Sequence, residues 1–309
     1  MTPKTKRVVC GLSVAAVWLL AIFALPVWVL SVLIMASAGV CMFELSAMLK
    51  QKGYLLPFGS LCAAAVVWFG FSYGVHVAGG DAMLLWWKLR FYLLAALCIA
   101  LFFRVLLDKR IEKPMEVAVL SVAGFVYIPV MLSFFIDIVY RAPTPGAGVF
   151  MAFMMVFVTK LCDTGGFFVG SATAQRPGGN HKMCPRLSPG KSWEGTAGGY
   201  AFSLAGTAII GTIAYFFADK LPCLAWVHEC VSTLGGAIWL AGTVILAVTV
   251  GIFGDLLESL FKRQCGVKDS SALFPAMGGF FDTFDSIIFV PAVFMVSCTV
   301  RDVILSLMA

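Results

Sequence analysis

The chain has 309 residues, 61% of them hydrophobic and only 12% charged, with a net charge of +6. Soluble domains carry roughly 25% charged residues, so a water-soluble globule is excluded. Most of the surface must meet lipid, and the fold class is an all-α, polytopic integral membrane protein.

A membrane-crossing helix needs about 20 mostly apolar residues. About nine such stretches are predicted, at 8–24, 27–49, 55–76, 83–104, 115–140, 148–170, 197–218, 236–261 and 276–300. Only Pro26 separates the first two. The fourth carries two cations, Lys88 and Arg90, near its start. The first stretch follows a basic N-terminus and reads as an uncleaved span. An N-terminus in the cytoplasm places 16 of the 22 Lys and Arg residues on the cytoplasmic side, as the positive-inside rule requires. Lys160 falls inside a span. The ten cysteines are scattered without C-x-x-C spacing and read as small packing residues.

Residues 1–145 form an N-terminal region of about five spans, with no phosphate loop or nucleotide fingerprint. Glu44, at the cytoplasmic end of the second span, is either a functional intramembrane carboxylate or a snorkelling one. Residues 146–309 form a C-terminal region that holds the polar chemistry. Here 171–196 is expected to be a long cytoplasmic loop rich in Gly, Pro and basic residues. Gly190-Lys191-Ser192 does not make a Walker loop: Pro185 stands where the first glycine belongs, and no strand is expected. Lys191 and nearby backbone N–H groups could still receive phosphate. His76 and His228 are expected in outer loops and His181 in the inner loop, as solvated or packing residues.

Asp255, Ser259 and Lys262 recur at i, i+4 and i+7, so one helical stripe carries a carboxylate, a hydroxyl and an ammonium. Asp282 and Asp285, at i and i+3, are expected at the start of the last helix, where the helix dipole favours carboxylates. With Asp255 they make an oxygen-ligand set suited to a hard cation such as Mg2+. Five carboxylates (Asp163, Asp255, Asp269, Asp282, Asp285) beside seven cations on one side are too many for ordinary helix-end charges.

The run Ser259-x2-Lys262-Arg263-x4-Lys268-Asp269-x-Ser271-x2-Phe274-Pro275-x2-Gly278-Gly279-x2-Asp282-x2-Asp285 resembles the signature of phosphatidate cytidylyltransferases, also called CDP-diacylglycerol synthases. Asp163-Thr164-Gly165-Gly166-Phe167 and Ser188-Pro189-x-Lys191-Ser192-Trp193-Glu194-Gly195 look like the same family. The resemblance covers about 160–290. Met277 stands where the family usually has His, Thr283 where it usually has Arg, and Gly190 where Lys is common. The resemblance implies that CTP and phosphatidate give CDP-diacylglycerol and diphosphate. It implies Asp255, Ser259, Lys262, Asp282 and Asp285 as catalytic residues. Mg2+ would be held by Asp255, Asp282, Asp285 and Ser259, with room for a second cation. Lys191, Arg263 and Lys268 would bind phosphates, Asp269 belongs to the substrate-binding set, and Asp163 and Glu194 would contact metal or cytidine. It further implies a multi-pass cell (inner) membrane protein with a cytoplasmic active site. Nucleic acid is not an expected partner, and a homodimer is compatible with the sequence. Two rivals are a cation-coupled transporter, which would carry acids near mid-membrane, and a non-catalytic homologue. The compact acidic motif of CDP-alcohol phosphotransferases is absent.

Overall fold

The computed structural model describes residues 13, 16–78, 81–142, 144–274 and 278–308. Among them, eight helical segments are long and apolar enough to cross a membrane. Of the expected span at 8–24, residues 16–24 are helical, while 1–12, 14 and 15 lie outside the described residues. The chain divides into two compact units, Met1–Tyr140 with Phe261–Phe284, and Arg141–Leu260 with Asp285–Ala309.

The first unit contains α1 (Val27–Lys50), α2 (Phe58–Ala78), α3 (Asp81–Leu107), α4 (Pro114–Phe125) and α5 (Met131–Arg141, up to Tyr140). Pro26 precedes α1, and Pro114 opens α4, positions where a missing N–H costs nothing. The span expected at 115–140 is not one regular helix. A π-turn, Val126–Val130, joins α4 to α5 around Pro129. Proline cannot donate to the i−4 carbonyl and clashes with it, and the widened turn accommodates both defects.

The centre of this unit is polar. Asp137, wholly buried, accepts from Arg90, from the Ser72 hydroxyl (3.0 Å) and contacts His76 Nε2 (3.0 Å). Ser133 accepts from Arg90 (3.1 Å) and from the Trp68 indole (2.9 Å). The Arg90 guanidinium also lies over the rings of Trp68 and Phe134. An intramembrane charge is tolerated only with such partners. His76 is therefore not a loop residue, as expected, but a buried member of α2 with a side chain 1% exposed.

The second unit contains α6 (Pro145–Ala174), a β-hairpin of β1 (Lys182–Cys184) and β2 (Ser188–Ser192), α7 (Trp193–Phe217), α8 (Ala225–Val231), α9 (Leu234–Cys265, up to Leu260) and α10 (Val290–Met308). Thr144 caps α6 by accepting from Ala147 N–H (3.2 Å), and Ser192 caps α7 by accepting from Gly195 N–H (3.1 Å). The expected loop at 171–196 thus contains an antiparallel hairpin and the start of α7. Lys191 and Ser192 lie within strand β2, where no strand was expected, and the Ser192 hydroxyl is committed to its cap.

Helices α6 and α7 pack through glycine. A Cβ on Gly165 would lie 2.6 Å from the Gly198 carbonyl, and one on Gly199 would lie 2.7 Å from Cys162 Sγ. Small residues let helices approach closely where lipid gives no hydrophobic drive to pair them. The expected last span, 276–300, begins later. Residues 281–284 form a single turn, and α10 starts at Val290. Pro291 fits only the first helical turn, so the helix cannot extend backwards through it.

Candidate active site

On α9 of the second unit, Asp255 and Glu258 are three residues apart and share a face. Gly251 and Gly254 lie on that helix as well. A Cβ at 251 would sit 2.9 Å from the Ser286 carbonyl, and one at 254 would strike the Asp285 carbonyl. The backbone of 285–286 therefore runs directly against the glycines. That approach brings the Asp285 carboxylate to the two acids of α9. Asp255, Glu258 and Asp285 each offer an oxygen within 4.8 Å of the others. Glu258 is fully buried and Asp285 is 8% exposed.

Cations surround this cluster. Lys191 Nζ lies 2.8 Å from Asp255 Oδ2 and donates to the Ile252 carbonyl (3.3 Å). Lys160, from α6, lies 3.1 Å from Asp163 Oδ2 and donates to the Ser286 hydroxyl (3.4 Å). The Ser259 hydroxyl donates to Asp255 Oδ1 at 3.4 Å, a long bond. Burial pushes the Asp285 carboxyl well above the ordinary aspartate range; Asp255 adds to this, Lys160 opposes it, and Glu258 and Asp163 add further. Three converging carboxylates are all-oxygen, anionic and partly dehydrated. This donor set fits a hard divalent cation.

The first unit holds a polar cluster as well. Lys262 Nζ bonds Asp282 Oδ1 at 2.6 Å, with side chains 11% and 7% exposed. Asp282 Oδ2 accepts from the N–H groups of Ser270 (2.8 Å) and Gly279 (2.7 Å). Burial raises the Asp282 carboxyl, but the bonds from Lys262, Gly279 and Ser270 outweigh it and hold it below the usual range. Arg263, Lys268 and Asp269 are exposed. Thr283 donates to the Gly279 carbonyl (3.4 Å), and Met277 lies outside the described residues.

Of the residues singled out in the sequence, Asp255, Asp285, Ser259, Lys191 and Asp163 thus lie in the second unit, and Lys262, Arg263, Lys268, Asp269 and Asp282 in the first. Glu194, in the second unit, accepts from the backbone N–H of His181 (3.1 Å) and contacts its ring Nδ1 (2.6 Å), tying α7 to the hairpin. Sequence reasoning missed Glu258. Its i+3 spacing from Asp255 was the available signal. Glu44, left open between two roles, does not snorkel: it is 3% exposed and bonded to residues 270–281.

The sequence matches the description "Cytidylyltransferase family" over residues 5–300, which includes the helices where no motif had been found. Three similar proteins bear the name phosphatidate cytidylyltransferase. One from Bacillus subtilis is 30% identical over 295 residues, covering 94% of this chain and 96% of its own. One from Mycobacterium bovis is 28% identical over 297 residues, covering 91% and 83%. One from Haemophilus influenzae is 37% identical over 146 residues, covering 46% of this chain and 43% of its own. With a match across nearly its whole length, this chain belongs to the cytidylyltransferase family.

Proposed function

We propose that the protein is a Mg2+-dependent phosphatidate cytidylyltransferase, joining CTP and phosphatidate to give CDP-diacylglycerol and diphosphate. The observation that carries this reading is the Asp255–Glu258–Asp285 cluster in a chain of this family. A phosphate oxygen of phosphatidate attacks the α-phosphorus of CTP, and the bond to the β-phosphate oxygen breaks. The second pKa of a phosphate monoester is about 6, so the nucleophile is largely ionised at neutral pH. No strong general base is required. The demand is for charge neutralisation and in-line alignment.

The residues of the second unit meet the first demand. Asp255, Glu258 and Asp285 would hold Mg2+, with Ser259 beside Asp255. When bound, that ion would polarise the α-phosphate and offset the charge on the leaving diphosphate. Lys191, beside Asp255, and Lys160, beside Asp163, supply ammonium groups and are the natural phosphate contacts. In the first unit, Lys262 is oriented by Asp282, and Arg263 and Lys268 are exposed cations suited to phosphate. The charge distribution of the sequence supports reaction on the cytoplasmic side of the cell membrane, where CTP is available, with the acyl chains remaining in the bilayer.

The test is CTP turnover by purified protein in phosphatidate-containing micelles, with Mg2+ or with chelator. Diphosphate release with CDP-lipid formation, abolished by chelator and by Asp285→Asn, is expected. Folded protein that fails to turn over CTP with phosphatidate or any other lipid phosphate would refute the reading. Turnover that survives chelation would refute its metal requirement.

A further inference from the structure

Glu44 belongs to α1, far in sequence from the motifs that resemble the family. Its carboxylate is saturated. Oε1 accepts from the Ser271 hydroxyl (2.6 Å) and the Phe280 N–H (3.0 Å). Oε2 accepts from the Phe281 N–H (2.8 Å) and lies 2.7 Å from the Ser270 hydroxyl. That same Ser270 hydroxyl lies 2.7 Å from Asp282 Oδ2. A serine hydroxyl has one proton to donate, so two carboxylates share one donor and its orientation couples them.

The glycine pair completes the arrangement. A Cβ on Gly279 would lie 2.5 Å from Glu44 Oε2 and would strike the Ser270 hydroxyl. A Cβ on Gly278, whose φ is +94°, would lie 2.7 Å from Asp282 Oδ2. The two carboxylates thus press on adjacent residues of one backbone segment, and Gly-Gly is the only pair that admits both.

We propose that Glu44 is a positioning residue for Asp282. It pins Ser270, Ser271, Phe280 and Phe281, and thereby fixes the two backbone N–H groups and the hydroxyl that aim Asp282 at Lys262. The role in turnover rests on the reading of Asp282 and Lys262 as parts of the reaction machinery. The positioning itself does not.

Glu44→Gln keeps the size of the side chain but turns one oxygen into an NH2 facing N–H and hydroxyl donors. In the full-length protein, kcat is expected to fall on the order of 10- to 100-fold, as for misplaced catalytic groups generally, with KM for CTP nearly unchanged. Ser270→Ala combined with Glu44→Gln should be less damaging than the product of the two single effects, because part of the Glu44 effect runs through the Ser270 hydroxyl. Glu44→Asp, which keeps all acceptors, should recover part of kcat. A second readout is independent of activity: hydrogen exchange at the Phe280 and Phe281 amides should accelerate in Glu44→Gln. Wild-type kcat in Glu44→Gln, fully multiplicative effects in the double variant, or unchanged amide protection would each overturn the proposal. Should Glu44→Gln fail to fold, Ser271→Ala removes one donor to Glu44 and should still lower kcat several-fold at constant KM; unchanged kcat there would overturn it. A wild-type protein without turnover would sink the cytidylyltransferase reading, and the exchange experiment would still decide the positioning role.

Discussion

Replacing Glu258 by glutamine tests the metal reading at a residue that only the structure brought forward. The three carboxylates offer oxygens within 4.8 Å of one another. At that separation and an effective dielectric of 20, each like-charged pair repels by about 3.5 kcal/mol. In the cation-free protein, much of this is relieved because Asp285 binds a proton readily. A divalent cation in the cluster gains from each carboxylate at least that same amount. Losing one should cost about 3.5 kcal/mol, on the order of 300-fold in cation affinity, before water takes the vacated position. The assay is a thermal melt of detergent-solubilised protein against Mg2+ concentration, with diphosphate release measured in parallel. Wild-type protein at about 100 times Kd should gain about 2.7 kcal/mol. Glu258→Gln should need a Mg2+ concentration roughly two orders of magnitude higher for the same gain. Equal Mg2+ dependence of wild type and variant, in both melting and turnover, would refute the assignment of this cluster as the metal site.

The other expectations concern pH, the ion pairs and helix packing. Asp285 has a raised carboxyl in the folded chain, so its contribution is fully present below the ordinary aspartate range and is lost as pH rises through its folded pKa. In chelator, melting temperature should thus fall with rising pH above about 4, and saturating Mg2+ should remove that slope; a flat profile in chelator would contradict it. Asp282 is shifted the other way, so its contribution is present above the ordinary range and is lost only at more acid pH. Asp282→Asn removes the carboxylate that Lys262 Nζ bonds at 2.6 Å, at a cost of roughly 1.5–3 kcal/mol, read as a lower melting temperature together with lost turnover; an unchanged melting temperature would contradict it. Gly165→Ala places a Cβ 2.6 Å from the Gly198 carbonyl and should destabilise by about 1–3 kcal/mol, read as a lower melting temperature; an unchanged value would mean that α6 and α7 are not so closely packed.

Some of this architecture could be read directly along the chain. Asp255 and its neighbours declared themselves by a carboxylate in an apolar helix, which is costly without a partner. Asp285 was legible by its i, i+3 spacing to Asp282 at an expected helix start, and its meeting with Asp255 is what an all-oxygen ligand set requires. Glu258 was passed over because the stripe at 255, 259 and 262 was read as one face. In the structure the 285–286 turn approaches along Gly251 and Gly254, and Glu258 as well as Asp255 faces Asp285. The glycines of 165–166 and 195–199 could pass for a phosphate-binding signature, and their observed work is to let α6 and α7 touch.

The sequence by itself determined the membrane environment and most of the spans, though not where the last one starts, because hydropathy acts locally and helices in lipid must satisfy their own backbone groups. It determined the polar stretches too, since charge in an apolar context stands out in any register. Only tertiary structure decided the partners. Glu44 meets Ser270 across 226 positions of chain, and Arg90 meets Asp137 across 47. No periodicity encodes such pairings, because they follow from which helices pack together and where glycine lets backbone come close.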